Sequence, residues 1–222
     1  MIKLSPERPL GAALALMALW ASPAQAAGEG LVLAPHRAVY DMTLATARGG
    51  SGVTQVTGRM VYEMTGSACE GYTQNMRFVT SMSGGEGKGQ LNDLRSSSFE
   101  DHTGRRLRFN SSQYKDEQLS ESTQGDAQRD APEGGVKIEL SRPKKKTVTV
   151  ASRVYFPVEH SIAVLSAARA GKSLFTSNLY DGSEKGEKVY STTAAIGRLL
   201  RAGQLRLPAS LKNGEVLDQR PS

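Results

Sequence analysis

The stretch Gly58-Arg-Met-Val-Tyr-Glu-Met-Thr-Gly-Ser-Ala-Cys-Glu-Gly-Tyr-Thr-Gln-Asn-Met-Arg-Phe-Val-Thr80 reads as two β-strands joined by a glycine-flanked turn, and it holds the chain's single cysteine, Cys69. On the first arm Met60, Tyr62 and Met64 alternate with Arg59, Val61 and Glu63. On the second, Tyr72, Met76, Phe78 and Met82 alternate with Thr73, Asn75, Arg77 and Ser81. Successive side chains of a strand point to opposite faces, so this period of two predicts half-buried antiparallel strands with one side turned to a core.

The same pattern extends outward. Ala38, Tyr40, Met42 and Leu44 alternate with Arg37, Val39, Asp41 and Thr43, and the loop Arg48-Gly-Gly-Ser-Gly52 leads into a long strand from Val53 to Met64, which begins a meander. After a glycine-rich connection, Ser83 to Gly89, comes Gln90 to Asp101; the turn Asp101-His-Thr-Gly104 then precedes a strand carrying Leu107 and Phe109. Tyr114 to Gly135 is polar and sparsely apolar, so short solvated strands or a mobile excursion are expected there. Val136, Ile138 and Leu140 alternate again, and Thr147 to Val150 resumes a strand beyond Pro143 and the exposed run Lys144-Lys-Lys146. The only persuasive helix begins at Pro157, carries Ile162, Leu165 and Ala168 as its apolar stripe, and stops at Gly171. Leu174 to Tyr180 and Lys188 to Ala195 read as a final strand pair around Asp181-Gly-Ser183, and beyond Gly197 the periodicity fails.

Residues 1–26 have the organisation of an export signal: Lys3 and Arg8 form a basic start, Leu10 to Trp20 an apolar centre, and Ala24-Gln25-Ala26 a small-x-small cleavage pattern. The mature chain is expected to begin at Ala27. No later run of about 18 apolar residues follows, so a membrane-spanning reading is not supported and a periplasmic location is expected. Loss of residues 1–26 removes Lys3, Arg8 and Glu7 and lowers the formal charge from +6 to +5, of which Arg198 to Ser222 carries +3. The body is therefore only weakly basic, and with export this argues against a nucleic-acid partner.

Motifs for chemistry are lacking. His36, His102 and His160 have no metal-ligand spacing, so no metal or other cofactor is expected. Gly171-Lys-Ser173 resembles the end of a phosphate loop, but it follows a helix and precedes a strand, the reverse of what cradles a phosphate. There is no Gly-x-Ser-x-Gly elbow, and the carboxylates Glu70, Asp101 and Asp181 sit beside turns where solvated residues are common. Cys69 has no adjacent base that would make it a nucleophile; in an exported chain a cysteine is more often half of a disulfide.

In order, the motifs His36-Arg-Ala-Val-Tyr-Asp41, Gly66-Ser-Ala-Cys-Glu-Gly-Tyr72 with Arg77-Phe-Val79, Phe156-Pro-Val-Glu-His160 and Asp181-Gly-Ser183 resemble the EipB family of cell-envelope integrity proteins over about residues 36 to 197. The resemblance implies a mainly β fold: a strongly curved antiparallel β-spiral, similar in outline to the lipoprotein carriers LolA and LolB, with one principal helix against its concave side. It also implies a role in envelope maintenance without established catalysis. Members continue through further strands to a second cysteine that pairs with the one matched by Cys69, whereas Arg198 to Ser222 shows no strand alternation, so a C-terminally incomplete spiral is expected.

The chain is thus read as a signal segment (1–26), one β domain (27–197) and an atypical, disordered tail (198–222). The expected function is non-enzymatic support of the envelope. The alternative is carriage of lipid or a lipoprotein acyl chain in an apolar trough formed by Met60, Tyr62, Met76, Phe78, Ile162 and Leu165, although core packing explains the same phase. The partner is an envelope protein or lipid. The chain is expected to be a monomer with an unpaired Cys69, able to form a Cys69-linked dimer under oxidising conditions.

Overall fold

The computed structural model describes residues 31–84, 89–131, 133–201 and 204. The expected targeting segment and most of 198–222 lie outside the described residues. Eight strands follow one another in an antiparallel meander: β1 (His36–Thr43), β2 (Val53–Ser67), β3 (Gly71–Gly84), β4 (Gln90–Glu100), β5 (Arg106–Lys115), β6 (Gln118–Gln128), β7 (Val136–Arg142) and β8 (Lys146–Val150). Each pairs only with its sequence neighbours, so this curved sheet is open, with β1 and β8 as its edges. Beyond it come helix α1 (Pro157–Arg169) and a separate antiparallel pair, β9 (Leu174–Leu179) and β10 (Tyr190–Ala195), joined through a 3-10 turn at Glu184–Gly186.

Register decides which side chains meet. Tyr62 lies opposite Met76, Met76 opposite Ser96, Ser96 opposite Ser111, and Ser111 opposite Thr123, so these five form one row across β2 to β6. The parallel row runs Met64, Gln74, Ser98, Phe109, Gly125 and Leu140. A third runs Tyr72, Glu100, Leu107, Ala127, Ile138 and Val148. These rows lie on the inner face. The outer face is solvated and bears ion pairs between neighbouring strands, Arg59 to Asp41, Arg77 to Asp93 and Arg106 to Asp126.

The inner face is apolar toward β5–β8, where Leu107, Phe109, Ala127, Val136, Ile138 and Leu140 are buried with Val154, Phe156 and Tyr180 from the segments flanking α1. A second cluster joins Met64 and Tyr72 of the β2–β3 hairpin to Val158 of α1, with Leu33, Tyr62 and Ile162 packed around them. Burying each such large apolar side chain contributes roughly 1.5 to 3 kcal/mol. The helix is therefore fixed by its first turns.

Two details depart from the sequence reading. The polar stretch after Tyr114 is not an excursion: most of it is β6, an eleven-residue interior strand. Its inward positions are filled by small residues, Thr123, Gly125 and Ala127, because the Phe109 ring needs the space; a Cβ on Gly125 would overlap that ring. The apolar stripe of α1 is also displaced. Val158 and Ala167 are its buried residues, while Leu165 is 42% exposed. At its other end Gly171 and Lys172 donate N–H groups to the carbonyls of Ala168 and Ala167, the paired bonds that close a helix at a C′ glycine.

Candidate functional site

Helix α1 starts without a capping side chain of its own, because its N-cap residue is Phe156. Four N–H groups at a helix start lack helical partners, and burying them unpaired is costly. The missing acceptor comes from the end of β4: the two carboxylate oxygens of Glu100 accept the N–H groups of Val158 and Glu159, both at 2.8 Å. Glu100 is 4% exposed. Burial pushes its carboxyl up to about 7, against the two N–H bonds that favour the charged form.

Glu159 extends this junction. It accepts hydrogen bonds from Arg129 at 3.0 Å, from Arg153 at 2.6 Å, and from the N–H of Phe156 at 3.3 Å. The Arg129 side chain is wholly buried, with its guanidinium 4.1 Å above the Phe156 ring. Arg153 lies 4.0 Å above Tyr155 and also pairs with Glu133. Strand β4, the segment after β6 and the start of α1 are thus held in one charged, aromatic-backed junction.

Beside this junction lies a cleft of about 560 Å³ in the inner face. Tyr62, Gln74, Met76, Leu94, Ser96, Ser98, Ser111 and Gln113 form its floor, Pro157 contributes from the helix start, and the turn Asp181 to Glu184 lies along its rim. Gly182 explains the placement of that turn. It has a φ of 76° and lies against Phe109, where a Cβ would overlap the ring. Tyr180, buried just before the turn, packs edge-on to Phe109 at 5.8 Å and donates its hydroxyl to the Gly186 carbonyl at 2.9 Å.

Of the six residues expected to form an apolar trough, Met60, Phe78, Tyr62 and Met76 are neighbouring pairs on the inner face of β2 and β3. Tyr62 and Met76 line the cleft; Met60 and Phe78 are paired in register on the same face but lie outside its wall. Ile162 packs with Tyr62 against the Met64–Tyr72–Val158 cluster, and Leu165 is partly exposed. The floor of the cleft mixes the hydroxyls and amides of Ser96, Ser98, Ser111, Gln74 and Gln113 with apolar surface from Tyr62, Met76 and Leu94. Cys69 is exposed in the β2–β3 turn as a free thiol. His160 is half-buried, its ring near Tyr155 and Phe175 and its Nε2 3.2 Å from the Thr192 hydroxyl; burial lowers its pKa.

A wider hollow of about 790 Å³ opens on the outer face across Arg108, Asp126, Glu139 and Lys146. Its charges are largely committed. Arg106 and Arg108 pair with Asp126, Lys137 with Glu139, and Lys146 with Glu187. Among the described residues no helix is long and apolar enough to cross a membrane, and no three His, Cys, Asp or Glu side chains converge as metal ligands.

Glu100 was not a candidate from sequence, since its two partners lie 58 and 59 residues away. The one available signal is a helix starting after Phe156 with no Ser, Thr, Asp or Asn at the cap, which implies an acceptor from elsewhere. The serine floor had a clearer sign: Ser96-Ser97-Ser98 sits inside a strand, where β-branched and aromatic residues are more usual.

An open antiparallel meander with one helix bound at its N-terminus to the inner face defines the class: an unclosed, barrel-like β-protein. The chain belongs to the EipB-like family, whose model matches residues 27–222. It is 38% identical over 182 residues to the cell envelope integrity protein EipB of Brucella abortus (strain 2308), an alignment covering 81% of this chain and 64% of that protein. The chain thus spans a little under two thirds of the relative's length. Among solved structures it is similar to a β-barrel-like protein of a domain of unknown function, DUF1849, also from Brucella abortus. The TM-score is 0.70 and the identity 38%, covering 75% of this chain and 69% of the other.

Proposed function

We propose that this chain is a non-enzymatic periplasmic protein that supports the integrity of the cell envelope. The relative named for envelope integrity supports the envelope role, and the signal-like segment at residues 1–26 supports the compartment. The observation that carries the non-enzymatic reading is the position of Glu100. A buried carboxyl raised to about 7 is the kind of group that serves as a general acid or base, yet both its oxygens are bound to backbone N–H groups of α1. Its perturbation belongs to the fold.

A second reading, carriage of an apolar ligand, draws on Tyr62, Met76 and Leu94, which give the β2–β4 side of the cleft an apolar surface. The envelope role is tested in a strain lacking the gene. Detergent sensitivity restored to normal by the full chain, but not by a chain lacking residues 1–26, is the expected outcome. Equal rescue by both forms would contradict the periplasmic assignment, and normal detergent resistance of the deletion strain would contradict the envelope role.

A further inference from the structure

We propose that the inner cleft is a binding site for a neutral oligosaccharide. This rests on reading the cleft as a site that binds rather than reacts. Its volume, about 560 Å³, lies in the range of small-ligand sites and accommodates a few sugar rings. Ser96, Ser98 and Ser111 are on adjacent strands, with Ser96 directly opposite Ser111, and Gln74 and Gln113 flank them on the same face. Hydroxyl and amide groups both donate and accept, which matches the alternating demands of vicinal sugar hydroxyls.

The row continues into Thr123, opposite Ser111 and 1% exposed, whose hydroxyl has no hydrogen-bond partner among the described residues. Thr123 is enclosed and does not line the cleft, so the hydroxyls open to a ligand are those of Ser96, Ser98 and Ser111. Tyr62, half-buried and opposite Met76, supplies aromatic surface beside the serines, suited to the apolar face of a sugar ring.

Charge narrows the ligand. No Lys, Arg or His lines the cleft, while Glu121, Asp181 and Glu184 do. Phosphorylated headgroups, fatty-acid carboxylates and acidic glycans are repelled by that balance. An extended peptide is disfavoured too, because the backbone groups of the floor are already used in the β2–β6 ladders and cannot pair with another strand. A neutral saccharide needs only side-chain hydrogen bonds and ring contacts.

The experiment is isothermal titration of the mature chain with N-acetylglucosamine tetramer and with cellotetraose, alongside lauric acid, repeated on Ser96→Val, Ser111→Val and the outer-face control Thr149→Ala. The expected result is saturable binding of a tetrasaccharide, weakened about fivefold per lost hydroxyl and unchanged by Thr149→Ala. Preference for the N-acetylated tetramer assigns the source to a murein-type glycan, and preference for cellotetraose assigns it to a plain hexose polymer. Far-UV circular dichroism and thermal melts establish that each variant is folded; if a valine variant is not, Ser96→Ala and Ser111→Ala carry the comparison. Lack of binding to either sugar overturns the proposal, as does binding of lauric acid alone or of sugar with unchanged affinity in the folded serine variants. Release of new reducing ends from a bound sugar would instead overturn the non-enzymatic reading while leaving the ligand class intact.

Discussion

Glu100 at the end of β4 accepts the N–H of Val158 in the first turn of α1 at 2.8 Å, joining two elements 58 residues apart through one carboxylate oxygen. Negative charge is favoured at a helix N-terminus, but here it is bought at the expense of burial, and the balance raises the carboxyl to about 7.

That balance makes stability depend on pH. The folded chain holds the Glu100 proton more tightly than the unfolded chain, whose carboxyl titrates near 4.5. The resulting stabilisation is complete below about pH 4.5 and is lost as pH rises through about 7, an effect on the order of 3 kcal/mol. Denaturant melts of the wild type and Glu100→Gln from about pH 5 to pH 8 should therefore diverge, with the wild type losing this increment relative to the variant. Parallel curves would show that Glu100 does not titrate in this window.

Arg129→Ala should destabilise the fold by about 3 kcal/mol, since it empties a wholly buried site over the Phe156 ring and removes one of the two cations on Glu159. Glu159 keeps Arg153, which is 22% exposed, so Arg153→Ala should cost less. Urea unfolding of the two variants checks the order; an equal or reversed ranking would show that the pairing with Arg129 does not secure the helix start.

Gly182→Ala should lower stability by roughly 2 kcal/mol or more. Its backbone lies at a φ of 76°, and the new methyl would have to displace the Phe109 ring, so strain and overpacking act together. A thermal melt within about one degree of wild type would show that the turn can lift from Phe109 at no cost.

How far this arrangement can be read in advance varies along the chain. Alternation in His36 to Thr43, Val53 to Ser67 and Gly71 to Gly84 is sufficient for β1 to β3, and Pro157 with Gly171 brackets α1 to within a residue or two. Strand β6 is opaque to the same reasoning. Its inward residues are Thr123, Gly125 and Ala127, chosen for the bulk of Phe109 on the neighbouring strand, and small residues carry no hydrophobic period. The helix stripe fails for a related reason: only the first turns reach the sheet, so Val158 is buried and Leu165 is not. The inner cleft depends on register across five strands, which brings Ser96, Ser98 and Ser111 beside the apolar Tyr62, Met76 and Leu94 in a way the β2–β3 hairpin alone does not show.

Cys69 lies exposed in the β2–β3 turn and is the chain's single cysteine. Maleimide should modify it in the folded protein at the rate of an unhindered thiol, and oxidant should yield a dimer that disappears on reduction. Protection of the thiol without denaturant, or an oxidised sample that stays monomeric on non-reducing gels, would contradict this accessibility.

Rescue of a deletion strain by Glu100→Gln tests most directly the proposal that the chain serves the envelope without a reacting carboxyl. This variant keeps one oxygen to accept an N–H of α1 and removes the acid. With its folding established by melts at the growth pH, it should restore detergent resistance as fully as the wild type. Loss of rescue by a folded Glu100→Gln protein at normal periplasmic abundance would contradict the account and assign chemistry to that carboxyl.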